Sequence, residues 1–295
     1  MECSSKPFND DSKDDKLEEI DKDLIPQVLE ILKQQFPRSI HIYYFIWMQL
    51  EWEKKNLPSS INVLCCNGNL NGGVFVAVSK YFVCRYMIYS QDGDKIKLKN
   101  LLRTLPVDWS CKPIIVFEAV FEKDIGIVEE LIASNNRSSS YEAIFNRVWL
   151  PPELHHKIDV IPPENTYLDR LNESHVKKVN ETWKYGSKDT EAMVKNTICG
   201  NLGIGLFRKE DGKLLAWNTM QHFAGLGMLF TDVEERNKGY ARIVTAALAK
   251  ALVEQNVIPF ACISEVNKPS MNVFSKLGFV VADRCTWVIV DAIQK

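Results

Sequence analysis

The chain has 295 residues, 46% hydrophobic and 25% charged, with a formal net charge of −2. That composition excludes a disordered, collagen-like or coiled-coil chain and fits about two domains of ~100–200 residues. So small a charge provides no strong field for nucleic acid or membrane, and neither partner is expected. Residues 1–23 nevertheless hold nine acids and four lysines, a net of −5, leaving the other 272 residues at +3. A mildly basic body suits a small polyanionic ligand. The acidic head is unlike an Arg-rich transit peptide, and no apolar signal region follows Met1. No run reaches the ~18 apolar residues of a membrane span. A cytoplasmic protein is expected.

Eight cysteines, at 3, 65, 66, 84, 111, 199, 262 and 285, show no C-x-x-C spacing. Most of them read as reduced thiols filling core space, and neither a metal site nor a cysteine nucleophile is expected.

In chain order, residues 1–23 read as an acidic, flexible terminus, with 1–16 the loosest. Leu24, Val28, Leu29, Ile31, Leu32 and Phe36 recur at helical spacing, and Pro37 ends that run. Residues 42–55 are ambiguous, aromatic enough for a strand yet helical in period. Ile61–Cys66, Gly73–Val78 and Val83–Tyr89 read as strands, the first two separated by Asn67-Gly68 and Asn71-Gly72-Gly73 turn signals. A helix is predicted over Lys97–Leu105, a strand over Ile114–Val120, a helix over Ile125–Ala133 and a loop over 134–140. Pro151, Pro152, Pro162 and Pro163 bracket a polar passage containing His155 and His156. The domain boundary is placed there, giving domains 24–155 and 164–295.

Beyond it, a strand near Tyr167–Leu171 precedes Ser174, the predicted N-cap of a helix carrying Val176, Val179 and Trp183. A second helix opens at Asp189 or Thr190 and ends near Cys199-Gly200. Strands Gly203–Arg208 and Leu214–Met220 flank the Asp211-Gly212 turn, and strand Gly227–Asp232 follows. After Gly239, residues Ile243, Val244, Ala247, Leu248, Ala251 and Leu252 share one helix face. Strand Pro259–Ser264, helix Pro269–Leu277 and two strands, Phe279–Val281 and Cys285–Val290, complete a β-α-α-β-β-β-α-β-α-β-β order. The fold class is α/β, with α+β character and a mixed sheet.

The informative junction is Leu229-Phe230-Thr231-Asp232-Val233-Glu234-Glu235-Arg236-Asn237-Lys238-Gly239-Tyr240-Ala241. A strand feeds a short loop, and an amphipathic helix opens at glycine. The first turn of a helix has unpaired N–H groups, and its dipole favours negative charge. Gly239 and Ala241 let phosphate oxygens approach the backbone, while Arg236 and Lys238 add positive charge. The spacing R-x-x-G-x-A is weak alone. About 26 residues later comes Asn267-Lys268-Pro269-Ser270-Met271-Asn272-Val273-Phe274-Ser275-Lys276-Leu277-Gly278-Phe279, a strand end, a Pro-started helix and a Gly cap.

In this order the two segments resemble the acetyl-CoA motifs of the GNAT N-acyltransferase superfamily, and within it the glycine N-acyltransferase-like proteins. Trp183 and Tyr185, Leu215-Ala216-Trp217, Arg236 to Gly239 and Leu277-Gly278-Phe279 carry the resemblance, which covers about residues 165–290. It implies tandem GNAT-like halves: a degenerate first half and a full C-terminal GNAT fold with splayed central strands. It implies acetyl-CoA or another acyl-CoA as co-substrate, no metal, and a small amine or amino acid as acceptor. Leu229, Phe230 and Thr231 would lie along the pantetheine arm, and amides of Asn237, Lys238, Gly239, Tyr240 and Ala241 would hold the diphosphate. Asn267, Ser270, Asn272 and Phe274 would lie near the pantetheine and thiol, with Trp183 and Tyr185 lining the acceptor pocket. The same resemblance admits a mitochondrial location.

Two positions depart from the family. Phe274 stands where many GNAT enzymes carry a tyrosine acid, and Gly225 where the glycine N-acyltransferases carry a glutamate base. His222 and Glu265 are the substitute base candidates and Tyr185 the acid candidate. A protein N-acetyltransferase and a catalytically weak CoA-binding module are the alternative readings.

Overall fold

A computed structural model describes residues 15–80, 83–91, 93–110 and 114–291. Of the flexible terminus expected over 1–23, residues 1–14 lie outside the described residues, while Leu17–Glu19 are instead a strand paired with Leu64–Cys66. The N-terminal half runs β1 (Leu17–Glu19), α1 (Ile25–Lys33), α2 (Ile40–Lys54), β2 (Asn62–Cys66), β3 (Val74–Ser79), β4 (Cys84–Ser90), α3 (Lys95–Leu102), β5 (Ile115–Phe121), α4 (Ile125–Ser134), β6 (Ser139–Ser140) and β7 (Phe145–Trp149). The C-terminal half runs β8 (Thr166–Arg170), α5 (Val176–Thr182), α6 (Glu191–Gly200), β9 (Gly203–Arg208), β10 (Leu214–Met220), β11 (Leu226–Thr231), α7 (Tyr240–Glu254), β12 (Phe260–Ser264), α8 (Lys268–Lys276) and β13 (Val280–Val290).

One mixed sheet runs β1-β2-β3-β4-β5-β13-β7-β12-β11-β10-β9-β8, with β6 on β13. Its two parallel pairs, β4–β5 and β11–β12, occupy equivalent places in the two halves, each joined by a crossover helix. The halves exchange their last strands. β13 pairs with β5, β7 pairs with β12, and β7 and β13 pair with each other. This exchange makes the sheet continuous across the molecule.

The 42–55 ambiguity resolves as α2, and the reason is burial on all sides. Ile40, His41, Ile42, Tyr44, Phe45, Ile46, Met48, Gln49 and Trp52 are all buried, so no polar stripe marks a helical period. β7 is absent from the sequence-based expectation. The two strands expected at the C-terminus are one strand, β13, with a register shift between Val281 and Asp283. The N-cap expected at Ser174 is Asn172 instead: its side chain accepts from Ser174 N at 3.0 Å, and its own N–H donates to His175 Nδ1 at 3.0 Å. Cys65, Cys66, Cys199, Cys262 and Cys285 are free thiols, Cys199 exposed, while Cys84 is disulfide-bonded. Among the described residues no helix is long and apolar enough to cross a membrane.

Candidate active site

The site begins with a flaw in a strand. β11 pairs with β10 through Trp217↔Phe230 and then slips to Thr219↔Gly227. Met228 sits in the slip with φ 53°, a bulge that redirects the local backbone. On its other edge β11 meets β12 only at Leu226↔Ala261. Beyond that pair the two strands diverge and leave backbone groups facing a gap. A cavity of about 400 Å³ opens there, large enough for part of a small ligand. Leu229, Phe230, Cys262, Ser264, Ser270 and Phe274 are among the residues that line it.

At the far end of β11 the chain turns into α7 through two left-handed residues, Asn237 (φ 65°) and Gly239 (φ 81°). Consecutive amides in such a turn form an anion-binding concavity. The amides of Lys238, Gly239, Tyr240 and Ala241 donate to no carbonyl or side chain among the described residues. A Cβ placed on Gly239 would meet nothing within 4 Å, so the hollow is open. Arg236 lies over the Phe230 ring at 5.6 Å, and its Nε reaches Thr231 O at 3.4 Å. Lys238 is held by the Glu235 carboxylate at 2.8 Å, which Arg208 also grips at 2.7 Å; that contact raises the Lys238 ammonium above its ordinary value. Thr231 Oγ1 is buried without a hydrogen-bond partner at the strand end. An orphaned hydroxyl and an open amide hollow on one strand–helix junction fit a ligand with a polar arm and a diphosphate.

Trp183 and Tyr185, expected from the sequence at an acceptor pocket, meet ring to ring edge-on at 5.5 Å. Both line the cavity. Burial, then the hydrogen bond to the Glu142 carboxylate, push the Tyr185 phenol up to about 12. Glu142 in turn pairs with Lys184. The phenol therefore keeps its proton at neutral pH. On α8, Asn267 caps the helix by accepting from Ser270 N at 3.2 Å. Phe274 is buried edge-on against Phe279 at 4.9 Å, an apolar wall with no proton to offer.

Other predicted residues lie elsewhere. Asn272 is exposed on α8 and does not line the cavity. Glu265 also lies off the cavity, ion-paired to Arg284 at 2.6 Å. His222, the other substitute base candidate, is mostly buried and does not line the cavity: its Nε2 donates to Glu118 at 3.0 Å. Burial lowers its imidazole, against the pull of Glu118. Gly225 has a packing cause. Any Cβ there would run into the Phe223 ring, which fills that space and lies against His41 at 4.2 Å between centroids.

Sequence reasoning missed the centre to which His222 belongs. The Glu118 carboxylate, fully buried on β5, accepts from His41 Nε2 at 3.3 Å, His222 Nε2 at 3.0 Å and Arg85 Nε at 3.0 Å. Burial alone would raise this carboxyl, but His222, His41 and Arg85 outweigh it and hold Glu118 well below the usual range. Burial brings His41 down to about 4. His41 Nδ1 lies 3.6 Å from Cys262 Sγ. No local spacing could reveal this group, because its members come from α2, β4, β5, the end of β10 and β12.

Comparisons with known proteins agree with this architecture. Residues 203–288 match the family model of FR47-like proteins. Two human proteins, glycine N-acyltransferase-like protein 2 and putative glycine N-acyltransferase-like protein 1B, are each 26% identical over 118 residues. That stretch is 40% of this chain and spans 40% and 39% of those relatives. A Drosophila protein of known structure superposes with a TM-score of 0.81 at 19% identity, over 93% of this chain and 98% of that one. A tandem GNAT protein from the clavulanic acid biosynthesis pathway superposes at 0.57 with 13% identity, over 92% and 98%. The chain thus has the fold of the tandem GNAT proteins, and its C-terminal half is similar in sequence to FR47-like proteins and to the glycine N-acyltransferase-like proteins.

Proposed function

We propose that this protein is an acyl-CoA-dependent N-acyltransferase that moves an acyl group, acetyl in the first instance, to the amine of a small molecule or amino acid. The observation that carries this reading is the set of unpaired α7 amides beside Thr231, at the mouth of the gap between β11 and β12. In this reading the amides of Asn237 to Ala241 hold the diphosphate, helped by Arg236 and Lys238. Leu229, Phe230 and Thr231 flank the pantetheine arm, and Ser270 and Asn267 meet it near the thiol. Trp183 and Tyr185 bound the acceptor. The names of the two human relatives favour a small acceptor over a peptide. The division into domains 24–155 and 164–295 is likewise our proposal, with β7 and β13 exchanged between them.

Aminolysis needs a neutral amine, and an amine of pKa ~10.4 is only ~0.04% neutral at pH 7, a cost of ~4.6 kcal/mol. The thiolate that leaves also needs stabilising. Tyr185 is the phenol that lines the cavity, and its retained proton makes it our candidate acid. Tyr185→Phe is expected to lower kcat ~10²-fold while leaving acyl-CoA affinity within ~2-fold. Steady-state kinetics with parallel calorimetry checks this; an unchanged kcat removes Tyr185 from the chemistry.

The general test is a thiol-release screen crossing several acyl-CoAs with small amines. Release above the buffer rate for at least one pair is expected. A second reading, a CoA-binding module without turnover, is favoured by Phe274 and Gly225. Acyl-CoA binding with no release across the panel would establish it.

A further inference from the structure

Cys262 on β12 is among the residues that line the cavity and is partly exposed. Cys199, an exposed free thiol, sits on α6 and is not among the cavity residues. Serine and threonine also line the cavity, at Thr182, Ser264 and Ser270. Cys262 alone among these has a histidine beside it, His41 Nδ1 at 3.6 Å.

The tautomer of His41 at this contact is set by the group behind it. Glu118 is an ionised carboxylate, so it can only accept. His41 must therefore carry its proton on Nε2, facing Glu118. Burial keeps His41 neutral at physiological pH, so Nδ1 has a free lone pair. That lone pair lies 3.6 Å from the Cys262 sulfur, whose thiol proton it can accept; the other neighbour of that sulfur is Cys285 Sγ, at 3.9 Å. Burial also keeps the thiol protonated at rest, above its ordinary range. Glu118 fixes the tautomer, His41 presents a base, and Cys262 presents a nucleophile.

We propose that Cys262 is a second catalytic centre of this protein, an acyl-accepting nucleophile activated by His41 and oriented by Glu118. The donor in this proposal is the acyl-CoA of the preceding reading, on which it rests. Cys262 Sγ attacks the thioester carbonyl as its proton passes to His41 Nδ1. The imidazolium formed is stabilised by Glu118. The carbon–sulfur bond to CoA then breaks, and the departing thiolate takes the proton from His41. The products are an S-acyl Cys262 and free CoA thiol. Attack by an amine on that thioester yields the amide and, through His41, returns the proton to Cys262. No electrons are transferred and no further reactant is needed. The arrangement answers the absence of a glutamate at position 225, where Phe223 fills the space and backs His41. Cys262 and His41 are catalytic here, and Glu118 is a positioning residue.

The test uses the full chain and no amine. The protein is incubated with acetyl-CoA or with S-acetyl-N-acetylcysteamine, a thioester without the nucleotide, quenched in acid and mapped by peptide mass spectrometry. Acetylation of Cys262 by both donors is expected, faster than that of exposed Cys199. It should vanish in Cys262→Ala and persist in Cys199→Ser. His41→Gln and Glu118→Gln should each slow it ~10²-fold while acetyl-CoA binding, read by calorimetry, stays within ~2-fold. Labelling by the small thioester alone supports the nucleophile and overturns the CoA cradle. If neither donor labels wild-type Cys262 faster than Cys199, the nucleophile is overturned, and binding of acetyl-CoA still decides the cradle separately. Equal loss of labelling and binding in both His41→Gln and Glu118→Gln would overturn their assigned roles.

Discussion

Gly239 has two properties that can be separated by substitution. Its φ of 81° is strained for any residue with a Cβ, at a cost of roughly 1–2 kcal/mol. The space around it is open, so a side chain would cause no clash within the protein. Gly239→Val is therefore expected to lower stability by about 1–2 kcal/mol and to weaken acetyl-CoA binding at least ~10-fold, because the side chain stands where the diphosphate would approach. Denaturant melts and calorimetry on one preparation check both; a stability loss with unchanged affinity would move the diphosphate elsewhere. This residue was legible in the sequence because its signal is local: a strand, a basic loop and a glycine at the start of an amphipathic helix. Cys262, His41 and Glu118 were not legible. Their contacts span sequence separations of 221 and 77 residues, and each residue alone reads as ordinary core or loop.

At the scale of elements, the amphipathic pieces were readable and the doubly buried ones were not. α7 presents one apolar face, and its extent follows from the sequence. α2 hides residues on every side, which blurs its period. β7 escaped notice because its sequence, FNRVW, puts a charge at its centre. The structure shows how that charge is tolerated. Arg147 is 2% exposed, pairs with Asp283 of β13 at 2.5 Å and lies over the Phe121 ring at 4.7 Å. The pair thus ties β7 to β13, while β7 also pairs with β12. Asp283→Ala leaves a buried guanidinium without its counter-charge and is expected to destabilise the fold by about 3–5 kcal/mol. A shift of less than ~1 kcal/mol in chemical denaturation would show that Arg147 finds another partner and that the pair is not what fastens the exchanged strands.

At the scale of the whole molecule, the N-terminal half supplies groups to the C-terminal site. His41 and Glu118 lie before residue 150, whereas Cys262 and the cradle lie beyond residue 200. The same buried centre makes stability depend on pH. His41 is lowered to about 4 from 6.5 on folding, and His222 is lowered too. Between pH 6.5 and about 4 the unfolded chain binds protons that the folded chain does not, so stability falls as pH falls through that window. His41 alone accounts for about 3 kcal/mol of this. Glu118, held well below its ordinary value, adds a further loss at lower pH as its carboxylate is protonated. Urea melts from pH 8 to 4 should show a flat plateau followed by a decline from about pH 6.5. In His41→Phe, where nothing titrates at position 41, the decline should be shallower; an equally steep decline would place the acid sensitivity elsewhere.

The fold follows from the alternation of strands and helices, whereas the function rests on the mouth of α7. Calorimetric titration of the 295-residue protein with acetyl-CoA tests that claim most directly. One site per chain is expected, with a stabilisation of about 2.7 kcal/mol at 100 times the dissociation constant. No heat and no stabilisation at millimolar acetyl-CoA would contradict it.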